Sequence, residues 1–263
     1  MKNLTLQSWR SARPSLGGWI SLDNVHSAEA MANLGFDWLC IDLQHGLLDY
    51  SDLTRILPAI ATTDTTPIVR VAWNRPEQIM KALDAGAQGV IVPMVNSAED
   101  ARRAAAACRY PPAGERSFGP IRAALSEGAD YLASANTEIA CIVMIETHDA
   151  LERVEDIARV EGVDALFVGP ADLALSLGIS LSDAPNEPRF QAALGKVLSA
   201  ARKNDRFAGI FGYSLESVRS ALAAGFTFAS IGTDIGFMTS AAANALSELR
   251  PGRPAESSER HGY

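Results

Sequence analysis

The sequence has few of the features that mark membrane-spanning, exported or metal-thiolate proteins. No stretch approaches the roughly 18 consecutive apolar residues that a membrane span requires. The N-terminal segment MKNLTLQSWRSARP lacks the apolar core and cleavage site of a secretory signal. The three cysteines, Cys40, Cys108 and Cys141, share no metal-ligand spacing, and two lie in apolar, strand-like runs where reduced thiols pack well. We therefore expect a cytoplasmic protein with reduced cysteines.

Positive charge is also scarce. The formal net charge is -8, and no basic stripe interrupts the acidic balance. Binding of nucleic acid depends on neutralising phosphates with Lys and Arg, so nucleic acid is not an expected partner.

The small number of lysines limits the reactions that the protein could catalyse. The chain has four lysines, at the N-terminus or in predicted helices: Lys2, Lys81, Lys196 and Lys203. An aldolase that forms a Schiff base needs a lysine near the end of a barrel strand, so imine chemistry is disfavoured. Neither a GxSxG motif nor a Cys-His arrangement supports acyl transfer.

What is present is a regular alternation of apolar runs and helical segments. Eight runs rich in β-branched or apolar residues cover 16–22, 36–43, 67–72, 89–95, 138–146, 164–169, 207–212 and 226–232. The intervening segments have apolar residues three and four apart, and several end at a Gly that suits a helix C-cap. This pattern predicts an α/β fold, a (β/α)8 TIM barrel in a single domain over 1–250. An open doubly wound sheet is the alternative, but the first turn, SLDNVHS, lacks its Gly-rich loop.

Two segments interrupt this alternation, and a third follows it. Residues 109–137 and 178–188 are predicted to form long loops with some helix, of the kind that shapes the substrate mouth of a barrel. Residues 251–263, PGRPAESSERHGY, form a polar tail that we expect to be disordered.

Ionisable residues follow several of the predicted strands. Asp42 and His45 follow the second strand, Arg70 the third, Glu146 the fifth and Asp172 the sixth. Because barrel active sites lie at the carboxyl ends of the strands, we expect these side chains to meet at one mouth.

Glu146 and Asp172 form a candidate metal site. Two carboxylates on neighbouring strands, without a nearby His or Cys ligand, suit Mg²⁺ or Mn²⁺, with water or substrate in the remaining positions. The alternative is structural: Glu146 would pair with an arginine, and Asp172 would cap the following helix. The turn GPAD also leaves the N–H groups of Ala171 and Asp172 at a helix start, where they attract a carboxylate or phosphate. A metal ion beside such donors suits a 2-oxo acid.

The remaining candidates have both functional and structural interpretations. Arg70 ends an apolar strand and needs an anionic partner, which could be an enolate or a structural partner such as Asp42 or Glu146. His45 can act as a general base near neutral pH, or it can be a helix-capping or solvated loop residue. From its spacing in KALDAG, Asp84 is predicted to be an ordinary exposed helix residue.

A set of motifs in this order resembles the HpcH/HpaI aldolase family of metal-dependent, class II pyruvate aldolases. The likeness runs from about Leu16 to Leu249 and rests on FDWLCIDLQHG, PIVRVAWN, GVIVPMV, RYPPAGERSFG, MIET, VEGVDALFVGPADL and GFTFASIGTD.

The resemblance implies reversible cleavage of a 4-hydroxy-2-oxo acid to pyruvate, or a related 2-oxo acid, and an aldehyde. It implies a barrel whose last helix is exchanged between subunits, a homohexamer built as a trimer of dimers, and a place in aromatic compound catabolism. The cofactor would be Mg²⁺ or Mn²⁺, with Co²⁺ and Zn²⁺ as further candidates. The alternatives are a CoA-thioester lyase of the malyl or citramalyl type and a barrel without catalytic activity.

The resemblance also assigns roles to the candidate residues. Glu146 and Asp172 would hold the divalent ion, while Asp172 and the Ala171 N–H would contact the 2-oxo acid. The proton-transfer and enolate roles would fall to four residues: His45 as acid/base, Asp84 acting on it across a subunit interface, Arg70 at the enolate, and Asp42 orienting the group.

Two positions differ from the family pattern, and a third residue could affect which aldehyde the protein accepts. Gln44 stands where many relatives have Glu, and Met144 stands where a relative has a substrate-binding Gln. Phe211 is predicted to face the mouth and select the aldehyde by shape, or else to serve only in barrel packing.

Overall fold

A computed structural model describes residues 2–128 and 130–250 as a closed barrel of eight parallel strands. The strands pair in sequence order, and the last pairs with the first. They are β1 Ser15–Ile20, β2 Trp38–Asp42, β3 Thr66–Arg70, β4 Gly89–Val92, β5 Ala140–Ile145, β6 Ala165–Val168, β7 Phe207–Phe211 and β8 Phe228–Thr233. The predicted (β/α)8 barrel is confirmed, each strand lying within its predicted run or one residue of it.

Helices surround the barrel and cover its outer face. The described residues contain α1 Leu4–Arg10, α2 Val25–Ala32, α3 Tyr50–Ile60, α4 Pro76–Asp84, α5 Ala98–Cys108, α6 Ile121–Glu127, α7 Tyr131–Glu138, α8 His148–Glu152, α9 Val154–Ala158, α10 Pro170–Ser176, α11 Pro188–Lys203, α12 Leu215–Ala224 and α13 Asp234–Leu249. Many begin at a side-chain cap, as at Asp49, where a capping box starts α3. No helix among the described residues is long and apolar enough to cross a membrane.

The two interrupting segments contain short helices. The first holds α6 and α7, and the second holds a single 3-10 turn, Ala184–Asn186. The predicted disordered tail, 251–263, lies outside the described residues.

The strands separate two apolar cores. One lies between the strands and the helices, and the other fills the barrel interior. At the amino ends of the strands the interior is closed by α1, whose Trp9 stacks on Phe228 with ring centroids 4.1 Å apart. Packing at this end leaves the carboxyl ends of the strands as the open face of the barrel.

Glycine makes room for the large rings of the barrel interior. A Cβ added to Gly17 on β1 would lie 2.1 Å from Trp38 Cδ2, well inside van der Waals contact. Trp38 is fully buried and cannot move aside.

We predict that Gly17→Ala lowers the free energy of unfolding by about 3 kcal/mol, because the barrel interior must deform to admit the methyl group. The matched control is Gly195→Ala, at an exposed position in α11 with no atom within 4 Å of the added Cβ. That change should raise stability by about 0.5–1 kcal/mol, since alanine is the better helix former. Urea unfolding at fixed protein concentration, followed by circular dichroism, measures both; equal effects would contradict the packing argument.

Candidate active site

The carboxyl ends of β2 and β3 are joined by a buried ion pair. Asp42 and Arg70 are the last residues of these strands and lie opposite each other in the register. Arg70 Nε donates to Asp42 Oδ1 at 2.8 Å, and Nη2 donates to Oδ2 at 2.6 Å. Both residues are buried, so this two-point contact fixes the guanidinium in one orientation.

The same carboxylate organises the turn that carries His45. Asp42 Oδ1 accepts the backbone N–H groups of Gln44 at 3.0 Å and His45 at 3.3 Å. His45 itself is exposed at the rim. Asp42 therefore links the position of the His45 backbone to that of Arg70.

Arg70 remains a permanent cation in this environment. Burial alone lowers its pKa, but the hydrogen bonds and charge of Asp42 offset that effect and leave the pKa raised. Its guanidinium carbon also lies 4.5 Å from the ring centroid of Trp19.

Glu146 directly follows β5 and is 1% exposed. Its Oε1 accepts the backbone N–H of Met94 at 2.6 Å. Burial, together with the negative charge of Asp172, raises the pKa of Glu146 to about 7, while the Met94 N–H and Arg70 act in the opposite direction. A buried carboxylate near another carboxylate favours either a proton or a cation.

Asp172 lies in the first turn of α10. The N-cap of this helix is Gly169, and no side chain caps it. Glu146 makes no ion pair with an arginine among the residues that the structure describes. The structural alternative for these two carboxylates is therefore not realised in the described part of the chain.

A small cavity of about 40 Å³ opens at the mouth beside these groups. Its lining combines Arg70 and Asp172 with mainly apolar side chains: Trp19, Met144, Phe167, Gly169, Pro170, Ala171, Phe211 and Tyr213. Met144 and Phe211 both line this cavity. Phe211 also contacts the Trp19 and Tyr213 rings, with centroids 5.6 and 5.4 Å away.

The donor set fits a divalent cation of the Mg²⁺ type. Glu146 and Asp172 provide hard oxygen ligands, and Gly169 has no side chain to fill the space beside them: a Cβ there would lie 2.8 Å from Glu146 Oε2. No group of three or more His, Cys, Asp and Glu side chains within 2–128 and 130–250 could hold a metal ion. Water and substrate would have to complete the coordination, as is usual for Mg²⁺.

Asp84 does not join this mouth within one chain. Helix α4 runs back from β3 towards the amino end of β4, so its last residue, Asp84, lies at the opposite end of the barrel. Its Oδ1 accepts a hydrogen bond from Arg116 Nη2 at 2.7 Å. The prediction of an ordinary exposed helix residue is wrong, because the carboxylate is half-buried against a fully buried arginine.

Three contributors to this site were not identified from the sequence. Trp19 supports Arg70, Met94 donates its N–H to Glu146, and Gly169 leaves the space beside Glu146. Only Gly169, in the motif GPAD, had a signal that could have been used, since glycine before a helix often marks close approach of the backbone.

Comparisons with known proteins identify the family of the chain. The sequence profile described as HpcH/HpaI aldolase/citrate lyase matches residues 15–241. The chain is 39% identical over 242 residues to a hydroxypyruvate/pyruvate aldolase of Rhizorhabdus wittichii, covering 92% of this chain and 96% of that protein. It is 38% identical over 245 residues to a 4-hydroxy-2-oxo-heptane-1,7-dioate aldolase of Escherichia coli, covering 92% and 93%. The crystal structure of a HpcH/HpaI aldolase/citrate lyase family protein from Burkholderia cenocepacia superposes with a TM-score of 0.89 at 36% identity, covering 95% of this chain and all of that one.

We predict a pH-dependent stability that traces to Glu146 in metal-free protein. Its pKa rises from 4.5 to about 7 on folding, so between these values the folded chain holds a proton that the unfolded chain has released. The contribution of Glu146 to the free energy of unfolding is therefore fully present below pH 4.5, and it is lost as the pH rises through about 7. Glu146→Gln mimics the protonated form, and its stability relative to wild type should increase by about 2 kcal/mol between pH 5 and 8.

Urea unfolding across this pH range, with a chelator present, measures the difference. The control is Glu161→Gln, an exposed position whose curve should follow that of wild type. Parallel pH profiles for Glu146→Gln and wild type would contradict the prediction.

Proposed function

This chain belongs to the HpcH/HpaI aldolase/citrate lyase family and is a carbon–carbon lyase of the aldolase type, and on this basis we propose that it is a metal-dependent aldolase. The substrate would be a 4-hydroxy-2-oxo acid, cleaved reversibly to pyruvate, or a related 2-oxo acid, and an aldehyde. The observation that carries the proposal is the meeting of two carboxylates, Glu146 and Asp172, with a fixed cation, Arg70, at one mouth.

The 2-oxo acid would bind between these groups. Glu146 and Asp172 would hold Mg²⁺ or Mn²⁺, which supplies positive charge beside the keto oxygen when bound. The N–H groups of Ala171 and Asp172, at the start of α10, would hold the substrate carboxylate. The mouth cavity supports this arrangement, because Ala171 and Asp172 line it together with Arg70.

Cleavage would begin at the C4 hydroxyl. His45 would take its proton, the C3–C4 bond would break, and the aldehyde would leave as the electron pair moves into the C2–C3 enolate. Arg70 would stabilise the negative charge of the enolate, held ready by its contact with Asp42. Protonation of C3 would then give pyruvate.

Asp84 would act from a neighbouring subunit. In this proposal, it would reach the His45 of the partner and raise its basicity. Its distance from its own mouth and its partly exposed carboxylate support this role, because one oxygen binds Arg116 while 26% of the side chain remains accessible. The assembly would be a homohexamer, a trimer of dimers.

The aldehyde would be selected by an apolar surface. Met144 and Phe211 line the mouth and offer no charge or amide to a polar aldehyde. Tyr213 extends this surface towards solvent and is 54% exposed. We therefore favour a small or apolar aldehyde over one that carries a second carboxylate.

Exchange of the last helix between subunits would complete the fold. Asp234, the first residue of α13, accepts the N–H groups of Ser21 at 3.0 Å and Leu22 at 3.2 Å, which ties the helix start to the barrel. The rest of α13 has no fully buried residue, and Leu246 and Leu249 are 51% and 82% exposed. Apolar side chains on such a helix support packing against a second copy of the chain.

We predict that the protein exchanges the methyl protons of pyruvate with deuterated water only when Mg²⁺ or Mn²⁺ is present. Asp172→Asn should slow the exchange by on the order of 100-fold, because a weakened metal site loses the positive charge that would stabilise the enolate oxygen. NMR with and without EDTA measures it. Asp156→Asn, at an exposed position in α9, is the matched control and should exchange at the wild-type rate. Undiminished exchange in thoroughly metal-free protein would refute the proposal.

We further predict that Leu246→Asp reduces the mass of the assembly, because a carboxylate cannot be buried in the apolar contact of an exchanged helix. The matched control is Ser247→Asp, which adds the same charge at the next, exposed position and should leave the mass unchanged. Light scattering coupled to gel filtration measures both. A wild-type mass for Leu246→Asp would contradict exchange through this face.

A further inference from the structure

Met94 has a backbone conformation that is rare for its residue type. Its φ is 56°, in the left-handed region, where a residue with a Cβ is disfavoured by roughly 1–2 kcal/mol. Two other non-glycine residues in the described ranges share this feature, Ala12 and Asp205, and both are exposed in turns just after helices. Left-handed residues are common in such turns. Met94 instead follows β4 at the functional end of the barrel, where the strain needs another explanation.

The strained residue directs its N–H at Glu146. The Met94 nitrogen lies 2.6 Å from Glu146 Oε1, a short contact of the kind made to charged acceptors. Pro93 precedes Met94 and fixes its own φ, so the chain leaves β4 on a restricted path. The rotation at Met94 then determines where this one N–H group points.

The other carboxylate oxygen lies beside a residue without a side chain. Glu146 Oε2 faces Gly169, where an added Cβ would lie only 2.8 Å away. Gly169 is the N-cap of α10, the helix that carries Asp172. The carboxylate thus lies between Met94, two residues past β4, and Gly169, the residue before α10.

We propose that Met94 is a positioning residue for the cation site: its left-handed backbone engages Glu146 Oε1 and leaves Oε2 directed at the start of α10. The inference rests on the proposed function, in which Glu146 and Asp172 share a divalent ion. It deepens that proposal by assigning the geometry of one ligand to a backbone torsion. The Met94 side chain is not part of the argument, so any residue that tolerates a positive φ should serve.

The test compares residues that differ in their tolerance of the left-handed region. Met94→Ile introduces a β-branched side chain, for which a positive φ is strongly unfavourable, whereas Met94→Asn and Met94→Gly adopt it readily. Mn²⁺ binding to metal-free protein is measured by the electron paramagnetic resonance of free Mn²⁺, at a temperature where circular dichroism shows each variant folded.

We predict that Met94→Ile weakens Mn²⁺ binding by about 10–100-fold, the range seen when a residue that orients a metal ligand is lost. Met94→Asn and Met94→Gly should stay within about threefold of wild type, since they retain the N–H and its direction. A purely structural role would lower the thermal midpoint of Met94→Ile without changing its affinity. If Met94→Ile does not fold, Met94→Thr, which is β-branched but smaller, replaces it.

Two outcomes distinguish a failure of this inference from a failure of the proposed function on which it rests. If wild type binds Mn²⁺ and Asp172→Asn does not, but Met94→Ile binds as wild type does, the role of Met94 is overturned and the metal site stands. If wild type and Asp172→Asn bind Mn²⁺ equally weakly, the metal site itself is refuted, and the inference is overturned with it.

Discussion

The contact between Asp42 and Arg70 is the constraint on which the polar end of the barrel depends. It lies where two neighbouring strands end, so it joins the register of the sheet to the position of a charge. Breaking a buried pair by removing one partner leaves an unpaired charge, which typically costs about 3–5 kcal/mol. The same carboxylate also holds the turn that carries His45. Strand pairing, the orientation of the cation and the path of the next loop therefore change together.

The mouth contains two buried charged residues, and only one of them has a partner of opposite charge in direct contact within the described part of the chain. Arg70 has its partner within its own chain, and its charge is permanent. Glu146 has a single N–H and a neighbouring carboxylate, and its burial, together with the charge of Asp172, raises its pKa. The guanidinium of Arg70 is thus already paired, whereas the neighbouring carboxylate of Glu146 favours binding a proton or a metal ion.

The sequence predicted the barrel and the residues at its mouth because both follow from periodicity. Apolar runs mark the strands, and in a closed parallel barrel the residues after those runs must share one end, which brings Asp42, Arg70, Glu146 and Asp172 together. Met94 was not predictable, because methionine gives no indication of a left-handed backbone. The pairing of Asp84 with Arg116 was also missed, since it joins a helix to a distant loop and depends on tertiary packing. Helix α1 was not predicted either, because its seven residues are too few to show a clear periodic pattern.

Closure of the barrel brings its first and last strands together. Ser15 on the first strand pairs with Phe228 on the last, and Trp9 stacks on the same phenylalanine. Contacts so distant in sequence slow folding, because closing so long a loop costs conformational entropy before the contacts form. On the ribosome, β1 emerges first and must wait with one edge unpaired until β8 has been synthesised. The nascent chain is thus most exposed to misassembly just before its last strand arrives.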